Sequence, residues 1–223
     1  VAAPVVAENP VAVLPPKDSY SPDTRVALLT GLPYRENAKL ILKVSYNIGA
    51  DTSLVLYGLT HGVDAMAGAL EVERNTLVNE RGIPADAFNF VDGAGGGDTV
   101  ATPVAVTKYL TYLHSGPISE AFLEALPILG VDGSLGFVTD FESDPSLAGA
   151  KGKVRAKTGT LIESSGSALQ LKSQTLGGYI DTRSGRRLIY QLVVNDVNIE
   201  GMEDVLQAFQ DQGRISAVLW RDY

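Results

Sequence analysis

Cysteine is absent from the 223 residues, and histidine (2), methionine (2) and tryptophan (1) are scarce. The lack of thiols removes disulfides, thiolate zinc sites and cysteine nucleophiles together. It says little about compartment. With only His61 and His114, a histidine-rich metal site or a histidine-based triad has little material. No run approaches the ~18 apolar residues of a membrane span. Basic residues are outnumbered, 18 Lys+Arg against 26 Asp+Glu, and the formal charge of -8 argues against a phosphate-binding nucleic-acid surface. There is no initiator Met, and the Pro-punctuated start lacks the basic and unbroken apolar stretches of a signal peptide. A processed or truncated chain is expected, with further sequence upstream. What is present is a 45% hydrophobic chain long enough to bury a core.

Residues 1–33 read as an extended lead-in, with short strand candidates at Val11–Leu14 and Val26–Leu29. The remainder, 34–223, is expected to be one body. Ala38, Ile41, Leu42 and Ser45 share a helical face opposite Lys39 and Lys43. Gly49 is the expected stop of that helix, and Asp51 the N-cap of the next, running through Tyr57. Val63, Met66, Ala67, Leu70 and Leu77 mark a longer helix. A short strand at Ala87–Val91 precedes a glycine-rich loop, Asp92–Asp98, and Thr102-Pro103 opens another helix as N-cap and first residue. Residues 117–128 also read as helix.

The period then changes to two. Lys153–Thr160 is strand-like, and Thr175–Asp181 and Leu188–Asn195 flank a turn at Arg183–Arg186, predicting an antiparallel hairpin. Leu188, Tyr190, Leu192 and Val194 take one face and Ile189, Gln191 and Val193 the other, so this strand should be covered on both sides. The helix marked by Met202, Val205, Leu206 and Phe209 can supply one cover.

Two short segments can carry chemistry. In Ala156-Lys157-Thr158-Gly159-Thr160, an ammonium beside a hydroxyl suits a carboxylate, and Gly159 leaves room for a substrate backbone to lie against the strand. Alternation places Lys157 and Thr158 on opposite faces. Both serve one cleft only if the strand runs along its rim. In Ser45-Tyr46-Asn47, positions i and i+2 share no helix face, so joint action requires the backbone to leave the helix there. Each tripeptide alone is also ordinary: a solvated strand lysine, and Ser and Asn fraying a helix end.

Together they match more. S-x-N and K-T-G accompany an S-x-x-K nucleophile in penicillin-binding proteins and serine β-lactamases. LPILGVDGSLG (Leu126–Gly136), GKVRAKTGTL (Gly152–Leu161), VSYNIGAD (Val44–Asp51) and VDGAGGGDTVATP (Val91–Pro103) resemble the D-alanyl-D-alanine carboxypeptidases of peptidase family S13, from about Leu32 to Tyr190. The resemblance implies an α/β (α+β) fold, the C-terminal part of a penicillin-binding transpeptidase-like domain: a helical cluster plus an antiparallel sheet. It implies a cell-envelope enzyme, periplasmic or extracellular, acting on peptidoglycan peptides ending in D-Ala-D-Ala and acylated by β-lactams, with no cofactor and no metal. By the same resemblance Ser45 relays protons, Asn47 binds the substrate amide and Lys157 holds Ser45. Thr158 binds the terminal carboxylate, and the Thr160 N–H is one oxyanion donor. Lysine chemistry of this kind fits a chain so poor in histidine.

The pattern breaks at the nucleophile, because no Ser in the chain begins an S-x-x-K. The N-terminal half of the same protein is then the expected partner. The alternative is a nucleophile-free peptidoglycan-binding or scaffold module. Tyr46 stands where many relatives have Asp, and the segment after Thr160 is longer than in relatives, with Ser164–Leu171 as a candidate flap. Other readings are weaker. The glycine loop puts Asp98 where a dinucleotide fingerprint needs its third Gly, and no G-K-[ST] follows. His114 at a helix end and His61 at a helix start read as structural or solvated. Asp140, Glu142 and Asp144 lack the EF-hand Gly and terminal Glu, and read as a solvated loop.

Overall fold

The computed structural model describes residues 16, 19, 21–24, 27–165 and 168–223. The chain divides into Val1–Pro33 and Tyr34–Tyr223. In the first unit a 3-10 turn spans Pro22–Thr24, closed by reciprocal bonds between Ser21 and Thr24. The strand expected at Val11–Leu14 lies outside the described residues. Of the Val26–Leu29 candidate, residues 27–29 are described and carry no strand.

The second unit opens with a helical pair, α1 (Tyr34–Val44) and α2 (Asn47–Leu59), followed by α3 (Met66–Asn75) and a π-helical turn, Thr76–Glu80. The break between α1 and α2 falls at Ser45, not at Gly49. Ser45 adopts φ 57°, a left-handed conformation that ends an α-helix, and Asn47 rather than Asp51 opens α2. Gly49 lies inside α2 for a steric reason: a Cβ there would stand 2.6 Å from the Ile41 side chain. Val63 precedes α3, and Gly58 lets α2 and α3 approach, since its Cβ would meet Ala69 at 2.8 Å. His61 follows the end of α2 instead of starting a helix; its ring lies 4.6 Å from Tyr57.

The two-residue strands β1 (Phe88–Asn89) and β2 (Val100–Ala101) pair across the glycine-rich loop. Helix α4 (Pro103–Ser115) begins as expected, with the Thr102 hydroxyl accepting the Ala105 N–H at 3.2 Å. Helix α5 is shorter than anticipated, Ser119–Ala125. Pro127 and Leu129 instead run beside a strand, exchanging backbone bonds with Ala156 and Val154.

Strands β3 (Val154–Ser165), β4 (Ala168–Asp181) and β5 (Arg187–Ile199) form an antiparallel sheet in that order. The tight turn carries Gly185 at φ 87°. The β3–β4 hairpin reaches farther than the sequence implies. Ser164 pairs with Leu169 and Ser165 with Ala168, and Leu171 is buried with Ile199 and Val205. Among the described residues the proposed flap is therefore a continuation of the sheet.

One face of the sheet is covered along its length and the other only in part: of the expected second face of β5, Ile189 is packed but Val193 is 37% exposed. On one face Val154, Ala156, Leu176, Ile180 and Tyr190 pack with Ala217 and Trp220 of α6 (Met202–Asp222) and with Leu129–Ala150. On the other, Tyr179 and Ile189 pack against Leu110 and Val106 of α4 and Leu126. A small polar network crosses the first interface. The Gln212 amide donates to the Gln174 carbonyl at 2.9 Å, and Tyr190 and Ser216 share a bond at 3.0 Å. These buried partners satisfy groups that would otherwise destabilise the core.

Candidate active site

Strand β3 lies at the edge of the sheet, which is the condition for one cleft to use both of its faces. Its first half is closed off. The Ala156 N–H donates to Pro127 O and the Leu129 N–H to Val154 O, both at 3.0 Å. Because alternate residues of an antiparallel strand turn their N–H and C=O to the same side, Thr158 and Thr160 direct theirs to this edge as well. The outward carbonyl of Thr158 accepts from the Lys157 ammonium at 2.5 Å.

The same ammonium donates to Ser45 Oγ at 2.7 Å, joining two residues 112 positions apart. This contact depends on the local break described above. Ser45 leaves the helical register, so its hydroxyl faces β3 while Asn47, two residues on, starts α2 in an exposed position. Burial pushes the Lys157 amine down from the ordinary 10.5 to about 8.

The other expected residues are placed differently. Thr158 is 6% exposed, and its hydroxyl shares a 2.7 Å bond with the Ser134 hydroxyl. A hydroxyl pair uses one proton, so the second remains free to donate elsewhere. The Thr160 hydroxyl donates to Gln174 Oε1 at 2.6 Å, turned toward α6. A Cβ at Gly159 would stand 2.7 Å from Thr175 Oγ1, so the glycine also accommodates the neighbouring strand.

Asp132 and Ser134, which sequence reasoning left without a role, converge here with Lys43, which it placed with Lys39 on the helix face opposite Ser45 but whose side chain is only 12% exposed. The Lys43 ammonium donates to both Asp132 oxygens at 2.7 and 2.8 Å and to Leu126 O at 2.6 Å. Asp132 and Ser134 lie within the segment Leu126–Gly136 and Lys43 immediately before Val44–Asp51, but the long-range pairing could not be read from either stretch alone.

The glycine-rich loop is closed upon itself. The Asp92 carboxylate accepts the N–H groups of Ala94, Gly95 and Gly96, and Asp51 of α2 accepts that of Gly93 at 2.9 Å. Those donors are engaged by carboxylates, which is incompatible with a phosphate cradle. The acidic trio is likewise dispersed: Glu142 pairs with Lys151, and Asp144 accepts the Ser146 N–H. Among the described residues no group of three or more His, Cys, Asp or Glu is placed to hold a metal ion. No helix among them is long and apolar enough to cross a membrane.

Helices flanking an antiparallel sheet, with a serine turn held against an edge-strand lysine, match the fold of a solved penicillin-binding protein. Penicillin-binding protein 4 of Haemophilus influenzae is similar over 84% of this chain and 40% of its own, at 20% identity and a TM-score of 0.65. A predatory endopeptidase of Bdellovibrio bacteriovorus, Bd0816, solved with the immunity protein Bd3460, is similar over 84% of this chain and 43% of its own (21% identity, TM-score 0.59). The penicillin G acylated endopeptidase Bd3459 of the same organism, also with Bd3460, gives 19% identity, 84% and 44% coverage and a TM-score of 0.54. The chain thus spans about two fifths of these structures' length. The chain belongs to the D-Ala-D-Ala carboxypeptidase 3 (S13) family, whose model matches residues 10–213. Comparison with curated protein sequences gives no match.

Proposed function

We propose that this chain supplies part of the active site of a serine-type D-Ala-D-Ala carboxypeptidase or endopeptidase acting on peptidoglycan stem peptides in the cell envelope. The observation that carries this reading is the 2.7 Å contact between the Lys157 ammonium and the Ser45 hydroxyl. Its membership of the S13 family and the penicillin G acylation of the similar Bd3459 support it.

The nucleophilic Ser and its Lys partner come from an S-x-x-K segment outside this chain, in the N-terminal half of the same protein. That Ser attacks the carbonyl of the penultimate D-Ala, forming an ester. The peptide bond breaks, and the leaving amine takes a proton through Ser45. Water then hydrolyses the ester. A Lys157 amine near 8 is about one-tenth neutral at pH 7, close enough to exchange protons with Ser45 during the cycle. Asn47 holds the substrate amide carbonyl. The hydroxyl pair Thr158–Ser134 offers its remaining proton to the terminal carboxylate, beside the positive field of Lys157. The Thr160 N–H at the strand edge is one of two oxyanion donors, and Gly159 lets the substrate backbone approach. A β-lactam acylates the same Ser.

The lack of any S-x-x-K among these 223 residues favours a second reading, a peptidoglycan-binding module that retains the carboxylate-reading edge. Fluorescent penicillin separates the two. The full-length gene product should label covalently while this chain alone does not. A full-length product that also fails to label leaves the binding module.

A further inference from the structure

The Ser45–Lys157 contact joins two elements, the end of α1 and the strand β3, through a single hydrogen bond between an exposed serine and a half-buried lysine. Such a bond does not by itself hold a helix end against a sheet edge. The loop Leu126–Ser134 does. On one side it is fastened to β3 by Ala156 N–H to Pro127 O, Leu129 N–H to Val154 O, and the Ser134–Thr158 hydroxyl pair. On its other side it grips α1 at Lys43, two residues before Ser45.

That grip has two parts. The Lys43 ammonium reaches Leu126 O and both oxygens of Asp132, and the Lys43 side chain is only 12% exposed. Asp132 is itself fixed, because its Oδ1 accepts the Ile128 N–H at 3.0 Å. Next in sequence, Gly133 sits at φ 59°, so close that a Cβ would stand 2.7 Å from the Lys43 carbonyl. Side chain and backbone of Lys43 are thus both registered against one loop, and that loop against the strand bearing Lys157. Arg155, the other basic group on the Lys157 face of β3, lies at the Ile128 bridge.

We infer that Lys43 and Asp132 are positioning residues, a half-buried ion pair that fixes the α1 end so that Ser45 Oγ meets the Lys157 ammonium. The inference rests on the proposed reading of Ser45 and Lys157 as working residues. Losing Asp132 leaves the Lys43 ammonium poorly solvated, and losing Lys43 frees α1 from Leu126 O and from the Asp132 carboxylate; in both cases the helix end swings out. Ser45 leaves with it, and Lys157 gains water.

The pH profile of Lys157 acetylation in this chain, read by mass spectrometry, tests the pair. The variants are Lys43→Gln, Asp132→Asn and Lys43→Arg, each checked for a cooperative thermal transition. Direct charge effects on Lys157 have opposite signs: removing the Lys43 cation raises its pKa, and removing the Asp132 anion lowers it. A broken tether instead raises it in both. The expected result is an upward shift of about one unit or more in both neutral variants, a roughly fivefold or greater loss of free amine at pH 8. Lys43→Arg should keep the original profile. Shifts of opposite sign, or an unmoved profile in folded variants, overturn the tether alone. A native Lys157 that titrates at the ordinary lysine value overturns the proposed chemistry of Lys157 and the tether with it.

Discussion

Replacing Gly133 with Ala perturbs the junction between α1 and the loop at a single atom. Its cost has two separable sources. At φ 59° any Cβ meets the left-handed penalty, about 1–2 kcal/mol. The new methyl would also stand 2.7 Å from the Lys43 carbonyl and 3.1 Å from Pro127 Cβ. Both are backbone-fixed neighbours, so an overpacking cost of about 1–3 kcal/mol is added. The total is about 2–5 kcal/mol, or roughly 5–15 °C in thermal midpoint for a domain of this size. Gly185→Ala is the internal control. It has φ 87°, but a Cβ there meets nothing within 4 Å. Only the conformational cost applies, about 1–2 kcal/mol. Differential scanning calorimetry of both variants measures the difference, which is the close approach itself. Equal losses would refute the claim that Gly133 is demanded by contact with α1.

Two further outcomes follow from burial and hydrogen bonding. Burial raises the Glu73 carboxyl from the ordinary 4.5 to about 7. Between those values the unfolded chain has released a proton that the folded chain keeps, so stability falls as pH rises from 4.5 to 7. Glu73→Gln should therefore have a higher midpoint than the native chain at pH 8 and a similar one near pH 4, and an equal difference at both pH values would contradict the assignment. Asp92→Ala removes the acceptor for three loop N–H groups, so hydrogen exchange at Ala94, Gly95 and Gly96 should accelerate at least tenfold. Unchanged protection there would show that the loop is held by something else.

The elements that the sequence made legible are those with strong periodicity or local chemistry. Thr102-Pro103 caps α4, and the two-faced apolar pattern of β5 reports cover on one side and, at Ile189 but not at Val193, on the other; the K-T-G strand meets the condition of lying at a rim. Serine at position 45 was found, but the cause of the helix break was assigned to Gly49. Glycine is a common stop, whereas a left-handed serine is sustained by tertiary contacts invisible in a local window. Ser164–Leu171 reads as a flap because the segment after Thr160 is longer than in relatives; the extra length instead extends the β3–β4 hairpin, whose pairing is not visible in a local window. The pairings of Lys43 with Asp132 and of Ser134 with Thr158 are hidden for a related reason. Lys43 and Asp132 are 89 positions apart, and nothing in the spacing of either segment reports on the other.

The central claim is that Lys157 and Ser45 work together in acyl transfer. The direct measurement is the rate of acylation of the full-length gene product by a fluorescent penicillin, compared with its Lys157→Ala variant under conditions where both are folded. Loss of a buried proton-carrying group that also sets the field of the site should slow acylation by about 10²-fold or more. Acylation within twofold of the native rate would contradict the account.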